Sequence, residues 1–229
     1  TLPTGLNFGT DNGTIWGIAT VLQTTATTYT IWANNSGGSS SATVTITVND
    51  VAPGTFEYNP ENNTFTNNTA ASIAPTVNNS AGVITSWAIN ATLPSGLTIG
   101  ATNGTIYGTP TELWTQKSYM VWANNSGGSS VGYLNITVVD ELPTLSYSPE
   151  NLTLTKGQAS SDLPLNATLT GPGAITSWAI SAALPSGLSF GTSNGTIWGT
   201  PTSLMALKTF TIWANNSGGS TSATVNITV

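Results

Sequence analysis

In 229 residues the chain carries three lysines, nine acidic residues and no arginine, a net charge of −6 and a charged fraction of 5%. So few cations leave no basic surface to neutralise phosphates, which excludes nucleic-acid binding. With no histidine and no cysteine, disulfides, the usual zinc and iron ligands, and Ser–His–Asp or Cys–His nucleophile sets are excluded as well.

Low charge here does not mark a membrane span, because no run approaches ~20 consecutive apolar residues. Apolar positions are interleaved with Thr, Ser, Asn and Gly. From the N-terminus the motifs are Leu2-Pro-Thr-Gly-Leu6, Asn12-Gly-Thr-Ile-Trp-Gly17 and Trp32-Ala-Asn-Asn-Ser-Gly-Gly38. They return as Leu93–Leu97, Asn103–Gly108 (Tyr107 replacing Trp) and Trp122–Gly128, then as Leu184–Leu188, Asn194–Gly199 and Trp213–Gly219. A fixed period of this size marks a tandem array. The expected units are 1–48, the C-terminal half of a repeat, then complete repeats at 49–140 and 141–229. The chain is expected to be a window on a longer array or, alternatively, to have its half repeat completed by strands of another chain.

Within the third copy, early strands are expected at Leu152–Leu154 and around Leu163–Leu169. Ile175–Ile180 follows and carries Trp178. A short strand, Thr196–Trp198, comes after the Asn194-Gly195 turn. Phe210, Ile212 and Ala214 alternate with polar or outward positions, as do Ala223, Val225, Ile227 and Val229, so each run is a half-buried strand. Asn215–Gly219 between them is hairpin chemistry. Seven or so short strands without a helical period predict an all-β fold of tandem immunoglobulin-like, cadherin-like β-sandwiches. Trp87 and Trp178 are expected in the cores. Short proline-bearing junctions at 48–53 and 138–143 predict a stiff rod with a rise of about 40 Å per repeat.

The ordered set Leu93–Leu97, Gly104–Thr109 and Gly127-Gly128 resembles the putative-Ig family, which is akin to dystroglycan-type cadherin-like domains, and the resemblance covers both full copies and the half copy. The resemblance implies tandem β-sandwiches of bacterial and archaeal surface proteins, serving as spacers, adhesion modules or structural bricks. It implies no activity. Cadherins hold calcium between repeats. Here Asp50 and Asp140 recur at the junctions, with Glu61 and Glu150 nearby, but calcium needs six to eight oxygens. No cofactor and no metal are therefore expected. Nor does any pair of carboxylates suggest a glycosidase, since the adjacent Asp140 and Glu141 would face opposite ways in a strand.

Acceptor sequons for N-glycans stand at Asn12, Asn34, Asn62, Asn67, Asn78, Asn90, Asn103, Asn124, Asn135, Asn151, Asn166, Asn194, Asn215 and Asn226. Random placement of 23 Asn among 67 Ser and Thr in this length gives about half of these fourteen. Covalent N-glycans are expected, and they would supply the hydration that the missing charge does not. The competing assignment is that Asn-Gly and Asn-Asn-Ser are turn residues only. By strand parity Trp16, Trp32, Tyr107, Trp122, Trp198 and Trp213 face outward, as residues that pack under the protein's own sugars, form contacts between domains or subunits, or stack on a polysaccharide. The expected role is structural, in an extracellular or cell-surface filament, stalk or surface layer made from copies of itself. The alternative is an adhesin or carbohydrate-binding module using those aromatics.

Overall fold

Alternating apolar and polar residues become strands wherever the chain is described. The structure is a computed structural model and describes residues 1–78 and 81–229. Residues 1–48 form β1 (Leu6–Phe8), β2 (Ile15–Gly17), β3 (Gln23–Asn35) and β4 (Gly38–Val48). The second copy holds β5 (Phe56–Tyr58), β6 (Asn62–Thr66), β7 (Ala71–Ile73), β8 (Pro75–Val77), β9 (Ser86–Ile89), β10 (Leu97–Ile99), β11 (Ile106–Gly108), β12 (Trp114–Asn125) and β13 (Gly128–Val139). The third holds β14 (Thr144–Tyr147), β15 (Asn151–Thr153), β16 (Ala167–Thr170), β17 (Ser177–Ile180), β18 (Leu188–Phe190), β19 (Ile197–Gly199), β20 (Lys208–Asn216) and β21 (Gly219–Thr228).

In the second copy one sheet runs β6-β13-β12-β9, and the strands β10-β11-β7 and β5-β8 form the opposing layer. Side chains of both layers meet in one buried cluster that includes Phe56, Tyr58, Trp87, Ile106, Tyr119, Val121, Leu134 and Ile136. The third copy repeats the plan, with the sheet β15-β21-β20-β17 and a cluster around Tyr147, Trp178, Ile197, Phe210, Ile212, Val225 and Ile227. Burying each of these side chains contributes roughly 1.5–3 kcal/mol. Trp87 and Trp178 thus fill the cores, as their sequence neighbourhood indicates.

The long hairpins are where the Asn-Asn-Ser-Gly-Gly segments lead one to expect them. Asn125 pairs with Gly128 and Asn216 with Gly219, leaving two-residue turns. Other features go beyond the periodicity. The strand Thr144–Tyr147 is not among the expected elements, although Leu145 and Tyr147 alternate with polar residues and are buried. Around Leu163–Leu169 the strand begins only at Ala167, and Leu165 makes an isolated bridge to Ile197. Both complete copies also contain a parallel pair, β6 with β13 and β15 with β21. That pairing joins the two ends of a repeat, and no local pattern announces it.

Each core is locked by one tyrosine and one glycine. Tyr58 Oη donates to the Gly104 carbonyl at 2.6 Å, and Tyr147 Oη to that of Gly195 at 2.7 Å. Both glycines have φ +70°, and a Cβ there would lie 2.6 Å from the Trp87 ring or 2.4 Å from the Trp178 ring. The Asn-Gly pair is therefore a turn on which the core tryptophan lies.

Burial pushes the Tyr58 and Tyr147 phenols well above the usual tyrosine range. An unfolded tyrosine loses its proton near pH ~10, whereas these keep theirs in the folded state. The folded chain therefore binds more protons above that point, and stability is lost as pH rises from ~10. Below ~10 the phenols are neutral in both states and contribute no slope. Thermal melts followed by circular dichroism are expected to show a falling midpoint between pH ~10 and ~11, with Tyr58→Phe and Tyr147→Phe together flattening that fall. At neutral pH each substitution leaves a buried carbonyl unpaired and costs about 1–3 kcal/mol.

Residues 1–48 carry counterparts of β10 and β11 from one layer and of β12 and β13 from the other, but among the described residues nothing stands where β5 to β9 complete both layers. Among the described residues β1 pairs only with β2, and β3 only with β4. Tyr29, Ile31, Val44 and Ile46 are half-buried, while their counterparts in the complete copies are at most 1% exposed. Gly13 keeps φ +70°, yet a Cβ on it would meet nothing within 4 Å.

Candidate functional site

Three surface features recur from copy to copy. The first is a clamp on each junction. In the turn of the second copy, Asn125 Oδ1 accepts from the Gly127 N–H at 2.8 Å, which shapes the turn. The same side chain donates through Nδ2 to the Val51 carbonyl at 2.7 Å. Ser126 Oγ accepts from the Asp50 N–H at 3.0 Å. The third copy repeats this: Asn216 Nδ2 donates to the Glu141 carbonyl at 2.8 Å, and Ser217 Oγ accepts from the Asp140 N–H at 2.8 Å. Gly127 and Gly218 let the backbones touch, since a Cβ on either would stand 2.0 or 2.1 Å from the Asp50 or Asp140 carbonyl oxygen. The turn of each complete copy thus grips the junction that leads into it. Asn35 and Gly37 form the same turn in the first segment.

The junction acids serve this arrangement. Asp50 Oδ1 accepts from the Val51 N–H at 2.8 Å, and Asp140 Oδ2 accepts from Ser217 Oγ at 3.4 Å. Among the described residues no three His, Cys, Asp or Glu side chains are grouped so that they could hold a metal ion.

The second feature is the set of outward aromatics. Trp16, Tyr107 and Trp198 are 52%, 46% and 43% exposed, each at the middle of a short strand. Trp32 is 62% exposed. Its counterparts depart from the expectation: Trp122 and Trp213 point off the core but are half-buried. The reason is the sheet. Trp122 is flanked by Ala88 and Val131 on paired strands, and Trp213 by Ala179 and Ser222, whereas β3 has a neighbour on one side only.

The third feature is the sequons, which the structure sorts by environment. Asn12, Asn103 and Asn194 are exposed, but each Oδ1 accepts the N–H two residues on, at 3.0–3.1 Å, making the turn that in the two complete copies lies over the core. Asn34 is exposed, while Asn124 and Asn215 are half-buried and accept from Ser129 and Ser220 Oγ at 2.6 Å. The sequon hydroxyls of this last pair, Ser126 and Ser217, are the ones gripping the junctions. Asn67 is half-buried, with Oδ1 enclosed and without a partner. Asn90 and Asn166 are exposed, and their Oδ1 atoms accept from the Met120 N–H and Thr196 Oγ1. Asn78 is exposed, and its sequon runs into Asn79 and Ser80, outside the described residues. Asn62 lies beside Asn135, and Asn151 beside Asn226, across the parallel pairs. Sequence alone gives no sign of the clamp or of these Asn–Asn contacts, because both join residues more than 70 positions apart.

The family model described as "Putative Ig domain" matches residues 1–49, 53–139 and 142–229. The chain belongs to this family. Its parallel-edged β-sandwiches are tandem Ig-like repeats.

Similar curated proteins are the "Serine-rich adhesin for platelets" of Staphylococcus aureus strain MRSA252, 30% identical over 162 residues, and that of strain USA300, 29% identical over 162 residues. The match covers 66% of this chain but 11% and 6% of those proteins, so the chain spans about a tenth or less of their length. Among solved structures, the titin I-band fragment I67-I69 is 16% identical with a TM-score of 0.42, covering 89% of this chain and 74% of that one. Extracellular domains 3-5 of Drosophila OTK are 16% identical with a TM-score of 0.43, covering 99% and 78%.

Proposed function

We propose that this chain is a structural segment of an extracellular or cell-surface protein, in which glycosylated Ig repeats are stacked to hold a fixed spacing in a filament, stalk or surface layer. The clamp carries this reading. Val139 ends β13, and the next residue, Asp140, is already bonded to Ser217 of the following repeat. Between Val48 and the bonded Asp50 stands Asn49 alone. A joint this short and this gripped leaves neighbours little freedom to turn, as a spacer requires. The units of the stack are 1–48, 49–140 and 141–229, and its partners are further copies of the same repeat. No cofactor and no catalytic step belong to this role.

One observation favours a second role. The matched relatives are named as adhesins, and Trp16, Tyr107 and Trp198 present the flat apolar faces on which sugars stack. The experiment compares the purified chain with a Trp16→Ser, Tyr107→Ser, Trp198→Ser variant by negative-stain electron microscopy and by binding to a polysaccharide array. The structural role expects ordered assemblies, disturbed in the variant, and no array binding. Normal assembly in both, with array binding lost in the variant, would replace it with the adhesin.

A further inference from the structure

We infer that N-glycans enter each complete repeat at the start of its edge strand, on Asn62 and Asn151, and that the facing sequons Asn135 and Asn226 stay bare in the folded protein. This rests on the proposal that the chain is a glycoprotein, and it assigns which sites carry the sugar.

The geometry is the same in both repeats. Asn135 Nδ2 donates to Asn62 Oδ1 at 2.8 Å, and Asn226 Nδ2 donates to Asn151 Oδ1 at 2.9 Å. The direction is reinforced by outside partners. Gln116 Nε2 also donates to Asn62 Oδ1 at 3.2 Å, and Thr209 Oγ1 donates to Asn226 Oδ1 at 2.6 Å. Each pair therefore has one asparagine whose nitrogen is engaged and one that uses only its oxygen. Exposure follows the same division: Asn62 and Asn151 are exposed, Asn135 and Asn226 half-buried.

The chemistry acts on the nitrogen. In transfer from a polyprenyl-diphosphate-linked sugar, Asn Nδ2 forms a bond to the sugar's anomeric carbon and gives up a proton. The bond from that carbon to the diphosphate oxygen breaks, and the lipid diphosphate leaves. Asn135 and Asn226 must first break a hydrogen bond inside the sheet, while Asn62 and Asn151 need not. Only one member of a pair has room for a sugar, because the two residues are direct neighbours across the parallel strands.

The position also has a use. β6 and β15 are edge strands, and edges invite pairing with other chains unless charge, proline or cover prevents it. Neither Asn62-Asn-Thr-Phe-Thr66 nor Asn151-Leu-Thr153 contains a charge or a proline. A sugar at the first residue of each provides the cover.

The test uses the full chain, folded or held in urea and diluted at once into the reaction. It is incubated with a single-subunit oligosaccharyltransferase that accepts Asn-x-Ser/Thr and its lipid-linked donor, beside a control Asn-x-Thr peptide. Electron-transfer mass spectrometry reads occupancy at each sequon. In the folded chain, occupancy at Asn62 and Asn151 is expected to exceed that at Asn135 and Asn226 about five-fold, the rate equivalent of one hydrogen bond. The ratio is expected to collapse in the unfolded chain. Equal or reversed occupancy in the folded chain, or sugar on other sequons with all four of these bare, would overturn the assignment and leave the glycoprotein proposal standing. Modification of the control peptide with none of any sequon in either form would overturn both.

Discussion

Replacing Gly195 with alanine is expected to lower the melting midpoint of the third repeat by roughly 15 °C. Two costs add. At φ +70° an L-residue is strained by about 1–2 kcal/mol. The new Cβ would then stand 2.4 Å from the Trp178 ring and 2.9 Å from Tyr147 Oη, so the core tryptophan must shift. Overpacking of that kind costs about 1–3 kcal/mol. Gly104→Ala should act alike in the second repeat, against Trp87. The first segment supplies an internal control. Gly13 has the same φ with nothing within 4 Å, so Gly13→Ala should cost only the backbone strain, about 1 kcal/mol. Calorimetry of the three variants checks this. Equal shifts in all three would mean that the conformation alone, and not the tryptophan above it, requires glycine.

The same comparison shows what could be read from the sequence and what could not. Period-2 alternation in Phe210–Ala214 and Ala223–Val229 gives the hairpin, its core face and its turn, because these depend on neighbours two residues apart. The placement of Trp178 follows from the same logic. The parallel pairing of β15 with β21 does not, since it joins residues about 75 positions apart and leaves no local trace. Exposure of the outward aromatics is legible only where the sheet is narrow. Parity correctly turns Trp122 and Trp213 away from the core, but the strands on either side cover half of each. The Asn-Gly-Thr and Asn-Asn-Ser motifs carry two physical roles at once. Their recurrence reads equally well as turn chemistry or as sugar acceptors, and the structure shows the turn chemistry in use at each: an Asx turn over the core in one, a grip on the junction in the other.

The grip can be broken without touching either core, and this has the second large effect. Gly218→Ala would place a Cβ 2.1 Å from the Asp140 carbonyl oxygen, a backbone atom with no rotamer in which to escape. The junction must lift off the turn, which removes the Asp140 N–H bond to Ser217 and the Asn216 bond to the Glu141 carbonyl. Two hydrogen bonds at roughly 1 kcal/mol each correspond to about a 30-fold rise in the open junction. Cleavage before Asp140 by an Asp-directed endoprotease, limited so that it reports the open population, should accelerate by about that factor. The melting midpoint of the third repeat should move little, because Val225, Ile227 and their partners stay packed. Ser217→Ala removes one bond and should give a smaller acceleration, about five-fold. In the first segment Gly37→Ala meets only the Asn35 side-chain oxygen at 3.2 Å and should leave the folded chain unchanged. If Gly218→Ala left cleavage before Asp140 at the original rate, the junction would already be free in solution. The stiffness on which the spacer role depends would then have to come from contacts other than the clamp.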